Sequence, residues 1–375
     1  MHELIFYPIG NGETCLIKLN NGRLIAFDYA DLANPEDEDD RRMPLRENFK
    51  QDIGWNGHFT KRRNIDVLAI THGDLDHVKA IPDHFWMRHA KKYQGEDRVK
   101  FDEMWVPAAL ITEEGSEDDT RIVRQEARHR FLAKQGILVF SRPEALKDWL
   151  QTQPDGVDKN IDNYRHLCCD AGTLVPSFSK AQDEVEFFIH SPFARRTADG
   201  LLDRNADCIV VQATFVEGGR ETKVLLTGDI TSDELDQIVR VTKIHKNDSR
   251  LEWDVYDVPH HCSYLSLSND KGTKKTVPTE NVQWLLDQGN QRGIMICCSK
   301  EIPSESTDQP PHVEAYRTYK ENCDAKDGDW RVTMEFPSKS GKAQRTRVEI
   351  TSGGAKLIKH GGNAAPLATT AVRAG

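Results

Sequence analysis

The chain has no uninterrupted apolar run long enough to cross a bilayer, which leaves no candidate for a membrane-spanning helix. Its first residues, MHELIFYPIG, lack a basic stretch followed by a long apolar core. No secretion signal is therefore expected, and the cytoplasm is the expected location. Positive charge is not in excess either: 50 Lys and Arg stand against 60 Asp and Glu, a formal net charge of -10. That balance argues against a surface coated for duplex DNA, though not against a local basic groove or a site whose positive charge comes from metal. The eight cysteines include no Cys-x-x-Cys pair, and two of their pairs, Cys168-Cys169 and Cys297-Cys298, are sequence neighbours, which rarely bridge each other. A disulfide framework is not expected, and the cysteines read as small buried hydrophobes. No short-period repeat is visible.

What is present is the composition of a globular protein: 375 residues, 38% hydrophobic and 29% charged, enough for a substantial core. HELIFYPIG, ETCLIKLN and RLIAFDYA read as an antiparallel meander turning at Asn20-Asn21-Gly22 and ending at Asp28. The charged stretch at 34–42 reads as a solvated loop. After a buried strand, IDVLAI, the segment HVKAIPDHFWMRHAKKY carries apolar residues at helical spacing. FDEMWVPAAL reads as a strand, and TRIVRQEARHRFLAKQG as an amphipathic helix stopped by Gly136, with His129 on its surface. Residues 141–184 show no clear period and are read as an elaboration. Strands return with VEFFIHSP, DCIVVQATF and TKVLLTGD, followed by the helix SDELDQIVRVTKI and the strand LEWDVYDVPHH. A helix at ENVQWLLDQG, a buried strand GIMICCS, a helix PPHVEAYRTYKENC and an expected hairpin from Trp330 to Lys359 complete the order. The tail at 360–375 reads as disordered, and residues 1–359 as a single domain.

Three strand ends carry metal-capable side chains. The first is Thr71-His72-Gly73-Asp74-Leu75-Asp76-His77, two imidazoles and two carboxylates within six residues of a tight turn. Such a set suits Zn²⁺ or Mn²⁺ better than a metal preferring only oxygen or only thiolate. The plainer reading is a polar turn in which Asp74 or Asp76 caps the next helix. The second is LLTGD, ending at Asp229, and the third is Pro259-His260-His261. Each alone is modest evidence; together and in this order they point to one site.

These motifs resemble the metallo-β-lactamase superfamily, and more narrowly the soluble metallohydrolase domain of ComEC-type competence proteins. IGNGETCLIKLNNGRLIAFDYA is similar to that family's opening, THGDLDH to its H-x-D-x-D-H, KVLLTGDI to its L-T-G-D segment and DVPHHCSY to its P-H-H-G-S. The resemblance covers most of the chain and implies an α/β fold, a metallo-β-lactamase-like αββα four-layer sandwich of two packed mixed sheets with helices outside. It implies two divalent metal ions, Zn or Mn. His72 and Asp74 would hold one and Asp76 and His77 the other, with Asp229 between them and His261 completing the set. Asp28 would orient a ligand imidazole from behind. Asp76 or Asp229 would take a proton during catalysis, while Asn205, His260 or Ser263 would contact a substrate anion or leaving group. The family's third-motif His has no clear counterpart; Asn205 and Asp207 stand in that region. Cys262 replaces a Gly beside His261, and Lys79-Ala80 replaces a small Gly-rich pair.

The implied activity is metal-dependent hydrolysis, with nucleic acid or a nucleotide as substrate and a phosphodiester as the scissile group. Two divalent ions roughly 3.5–4 Å apart can activate water and stabilise charge on a phosphoryl or carbonyl oxygen. The same chemistry serves amide, ester or thioester hydrolysis of a small molecule. A third reading is a metal-stabilised regulatory module without turnover. No membrane is expected, and a protein partner is left open.

Overall fold

The computed structural model of the protein describes residues 1–54, 64–115, 118–141, 143–192, 207–335 and 341–358. Of the features read above, Asn205, the expected tail at 360–375 and residues 336–340 and 359 of the expected hairpin lie outside the described residues.

One sheet contains β1 (His2–Phe6), β2 (Cys15–Lys18), β3 (Leu24–Phe27), β4 (Asn64–Ala69), β5 (Lys100–Pro107), β6 (Ile137–Phe140) and β7 (Cys168–Cys169). The second contains β8 (Val185–Ser191), β9 (Val210–Glu217), β10 (Arg220–Leu226), β11 (Trp253–Asp257), β12 (Gly289–Cys297) and β13 (Asp329–Val332). β14 (Thr346–Thr351) and β15 (Gly354–Leu357) return to the first sheet, whose order is β15-β14-β1-β2-β3-β4-β5-β6-β7; the second runs β13-β12-β11-β10-β9-β8. Both sheets mix parallel and antiparallel neighbours.

The layering follows from strand period. Successive side chains point to opposite faces, so in β4 Val67 and Ala69 enter the core between the sheets while Leu68 faces outward. β10 repeats the pattern, with Val224 and Leu226 inside and Leu225 outside. Outer residues of the first sheet pack on Phe49, Val123, Phe131 and Leu146, and those of the second on Leu235, Ile238, Leu285 and Tyr319, all from helices. Three cores between four layers make the αββα sandwich expected from the sequence. Burial on both faces also explains why strands such as IDVLAI read as unbroken apolar runs.

Two expectations are corrected. HVKAIPDHFWMRHAKKY is not one helix: it holds two short helices, Leu75–Val78 and Ile81–His84, and a final turn at Lys91–Tyr93. Ala80 sits between them at φ 66 with its N–H donated to Asp119 Oδ2, and a left-handed residue cannot continue a helix. The segment from Trp330 is not one hairpin either. β13 lies parallel to β12 in the second sheet, reached through the helix Val313–Asp324, whereas β14 pairs antiparallel with β1 and β15 in the first. A parallel neighbour needs such a crossover, so the chain changes sheet between β13 and β14. The elaboration contributes β7, the last strand of the first sheet, beside β6. All eight cysteines are free and seven are buried, as expected of small hydrophobes.

The helix Asp118–Leu132 is fixed to the first sheet by a buried ion pair. Arg130 Nε lies 2.6 Å from Glu126 Oε1, both side chains fully buried, and Arg130 also donates to the carbonyls of Asp102 and Gly136. His89 completes the Glu126 carboxylate at 2.9 Å. Burial alone pushes the Glu126 carboxyl up, but His89 and Arg130 outweigh it and hold it at about 2. Glu126→Ala leaves Arg130 buried and unpaired, and should cost about 3–5 kcal/mol in chemical denaturation. In the intact protein this contribution is present above the ordinary carboxyl value, near 4.5, and is lost as pH falls from there through about 2. Acid-unfolding curves of wild type and Glu126→Gln should therefore converge at low pH.

Candidate metal centre

The strands place three motifs at one rim of the sandwich. β3 and β4 are parallel, so Asp28 and the turn from Thr71 leave their neighbouring carboxyl ends together. β10 and β11 are likewise parallel and deliver Asp229 and His260-His261. His260 N–H bonds the Gly228 carbonyl at 3.0 Å, locking the last two turns to each other.

At the centre is the Asp229 carboxylate, its side chain 5% exposed. Four imidazoles turn their Nε2 atoms toward it: His77 at 3.2 Å, His261 at 3.6 Å, His260 at 3.8 Å and His72 at 3.9 Å. Asp76 Oδ2 is 3.3 Å from His261 Nε2, and Asp74 Oδ2 is 3.5 Å from His72 Nε2. One donor atom each from Asp76, His77, Asp229 and His261 falls within a 4.8 Å span. His72 and His260 approach the same Asp229 oxygen as His261, and Asp74 pairs with His72. His72 Nε2, His77 Nε2 and Asp229 Oδ1 are buried without a hydrogen-bond partner. Buried polar atoms are rarely left so, and here they face one another, as ligands around a cation would. Imidazole nitrogens and carboxylate oxygens in this number fit a divalent ion such as Zn²⁺ or Mn²⁺. Asp74 does occupy the N-cap position of the next helix, but its side chain makes no capping hydrogen bond there and faces His72 instead.

The far sides of three of the four rings are tied down, whereas His260 Nδ1 is buried without a hydrogen-bond partner. His77 Nδ1 bonds Asp28 Oδ2 at 2.7 Å, and Asp28, fully buried, also accepts from Thr71 N–H at 2.7 Å and from the Thr71 hydroxyl. Donation from Nδ1 leaves the Nε2 lone pair free for the cluster. His261 Nδ1 donates to the Cys298 carbonyl at 2.7 Å with the same consequence. His72 Nδ1 lies 3.1 Å from Thr71 Oγ1 and 3.2 Å from Cys208 Sγ. Backbone strain gathers here as well: Asp28 (φ 53) and the run His260 (φ 51), His261 (φ 53) and Cys262 (φ 66) are left-handed without being glycine. Such conformations persist only where surrounding contacts dictate them.

Charge is equally concentrated. Burial pushes the Asp229 carboxyl up, but His261 and His77 outweigh it and hold it well below the usual carboxylate range. Burial lowers the His261 imidazole, yet Asp229 and Asp76 raise it to about 9 in the metal-free site. Behind the cluster, burial and the neighbouring Glu13 push the Asp257 carboxyl well above its usual value, so that pair keeps a proton.

Every other site residue from the sequence reading can be located except Asn205. Ser263 is buried, its hydroxyl accepting the Leu265 N–H, so it caps the turn after His261. Cys262 belongs to the core beneath the second sheet and Lys79 is exposed. Thr71, Glu13, Cys208 and Asp257 escaped sequence reasoning. Thr71 and Glu13 lie inside recognised segments, but nothing in their spacing separates them from ordinary strand-end residues.

No protein-family model matches the chain, and the curated proteins contain no match. Among solved structures it is similar to the metallo-β-lactamase GOB-18 from Elizabethkingia meningoseptica, at 12% identity over 86% of this chain and 89% of that one, TM-score 0.34. A putative metal-dependent hydrolase from Parabacteroides distasonis gives 12% identity over 88% and 93%, TM-score 0.34. A long-form RNase Z from yeast gives 13% over 84% of this chain and 39% of that one, TM-score 0.38. The site is assigned on its side chains and not on these likenesses.

Asp28→Asn weakens the acceptor behind His77 and should lower metal affinity about 10–100-fold, read by competition with a chelator. His261 must shed its proton to bind metal. Apparent Zn²⁺ affinity should therefore rise with pH through about 9, about tenfold per unit for each proton displaced.

Proposed function

We propose that the chain is a metal-dependent hydrolase of phosphodiesters in nucleic acid or nucleotides, using two divalent ions, Zn or Mn, with Asp229 among the residues that would hold them. The observation that carries this reading is the single buried carboxylate faced by four imidazole nitrogens at 3.2–3.9 Å. Asp76, His77 and His261 would hold one ion, and His72 and Asp74 the other. Bound there, such ions polarise a phosphoryl oxygen and bring water within reach of deprotonation at neutral pH.

The protein's own groups supply the rest. Asp76 is 36% exposed at its side chain and faces His261. Burial raises its carboxyl, but the His261 hydrogen bond and His77 outweigh this and keep it below the usual value, so it is an ionised proton acceptor. His260, 18% exposed, stands where it can meet the substrate anion or leaving group. Asp28 and the Cys298 carbonyl keep His77 and His261 in orientation, and Ser263 braces the His260-His261 turn.

A phosphodiester is favoured by the rim. The loop of Gly10 and Gly12 crosses the cluster, with Glu13 N–H on the Asp76 carbonyl at 3.3 Å. A Cβ at Gly10 would come within 3.1 Å of Arg42 Cδ and 4.0 Å of Lys300 Cγ, so two cationic side chains flank this loop. Arg42 is itself paired with Asp40 at 2.9 Å, which leaves Lys300 to meet an anionic substrate on a chain of net charge -10.

Mn²⁺- or Zn²⁺-loaded protein should cleave bis(p-nitrophenyl) phosphate and single-stranded nucleic acid, and Asp76→Ala should slow this about 10²–10⁴-fold. Turnover of ester or lactam reporters with phosphodiesters untouched would assign the site to a small-molecule substrate instead. Bound metal without any turnover would leave a regulatory module, and full activity in Asp76→Ala would remove that residue from the mechanism.

A further inference from the structure

The imidazoles around Asp229 are not supported alike. His77 is backed by a carboxylate and His261 by a carbonyl, whereas behind His72 stand a hydroxyl and a thiol. Cys208 is fully buried, and its Sγ lies 3.2 Å from His72 Nδ1. The same sulfur accepts the Asp229 backbone N–H at 3.3 Å. One atom thus touches both the first imidazole of the Thr71–His77 turn, carried by one sheet, and the backbone N–H of the residue that bears the central carboxylate, carried by the other.

Its placement is built into the backbone. Ile209 N–H bonds the Thr71 carbonyl at 2.9 Å, pinning the start of β9 to the turn at the end of β4. Gly228 makes room: a Cβ there would lie 3.0 Å from Cys208 Sγ and 3.2 Å from Thr71 Cβ, and its φ of 53 suits glycine besides. The glycine of the L-T-G-D segment therefore has a specific steric reason, the sulfur packed against it.

The sulfur stands on the Nδ1 side of His72, while Nε2 faces the cluster. It is behind the ring and not among the donor atoms. A neutral imidazole that gives its Nε2 lone pair to a cation carries its proton on Nδ1. The two acceptors close to that nitrogen are Thr71 Oγ1, which itself donates to Asp28, and Cys208 Sγ. Because sulfur accepts weakly but is large, it can reach the His72 ring and the Asp229 N–H together.

We propose that Cys208 is a positioning residue of the metal centre: its sulfur fixes the separation and orientation of His72 and Asp229 across the two sheets, and so sets the affinity of the His72-Asp74 pair. This rests on the metal-centre reading above and goes beyond it by giving that pair its own determinant. It also explains why the region where the family's third-motif His is missing still matters to the site.

The test uses the full chain loaded with Co²⁺, whose visible spectrum reports ligand geometry. Cys208→Ala should weaken one of two bound ions about 10–100-fold in chelator competition, the range for loss of a group supporting a ligand. It should also shift the Co²⁺ bands and lower kcat on bis(p-nitrophenyl) phosphate more than it raises KM. Cys208→Ser, which keeps an acceptor on a shorter bond, should recover part of the affinity and of the spectrum; this variant also carries the test if Cys208→Ala does not fold. Two ions held with wild-type affinity and an unchanged spectrum in both variants, with only the melting temperature lowered, would make Cys208 a packing residue and overturn the proposal. Wild-type protein that takes up no Co²⁺ would instead overturn the metal reading itself, a result distinguishable because it precedes any substitution.

Discussion

Asp229 is the constraint on which the rim of this sandwich depends. A buried carboxylate left without compensation costs several kcal/mol, and this one has an oxygen with no hydrogen-bond partner. Its compensation comes from four imidazoles contributed by two turns on different sheets. Neither sheet could assemble that shell alone. The packing of the inner faces around Phe27, Val67, Trp105, Val211 and Val224 is therefore what holds the site together, although none of these side chains has any chemistry of its own.

The fold reconciles rigidity with strain. Parallel pairs β3-β4 and β10-β11 place the chemically important residues just beyond strand ends, where the backbone is free to turn sharply. Left-handed residues at Asp28 and across His260–Cys262 are the cost of aiming those side chains inward. Behind His77, His261 and His72, a carboxylate, a carbonyl, and a hydroxyl with a thiol decide which ring nitrogen faces the cluster. Those contacts convert a set of histidines into a set of oriented donors. The rings differ in how they are held, and such asymmetry would let two ions of the same kind occupy unequal sites.

Legibility followed range. Short apolar runs bounded by turn residues announced β1 to β4 and β8 to β12 because both faces of each sheet are covered. Thr71–His77 stood out because six residues supply four donor groups, whereas Asp229 and His261 gained meaning only in combination with it. The broken helix after His77 was not legible, since Ala80 and the Asp119 contact that holds it are separated by 39 residues. Nor was the change of sheet between β13 and β14, because a hairpin and a crossover share the same apolar alternation.

By itself the sequence determined the four-layer order of strands and helices, the location of the clustered donors and the exclusion of any long apolar span. These are local or periodic properties, written in the spacing of side chains along the chain. The tertiary structure decided which donors share an ion's reach, placed His261 with Asp76 and His77, and set Cys208 between His72 and Asp229. Those relations join residues up to 185 positions apart. They exist only once two sheets have packed, because no spacing along the chain encodes the distance between their rims.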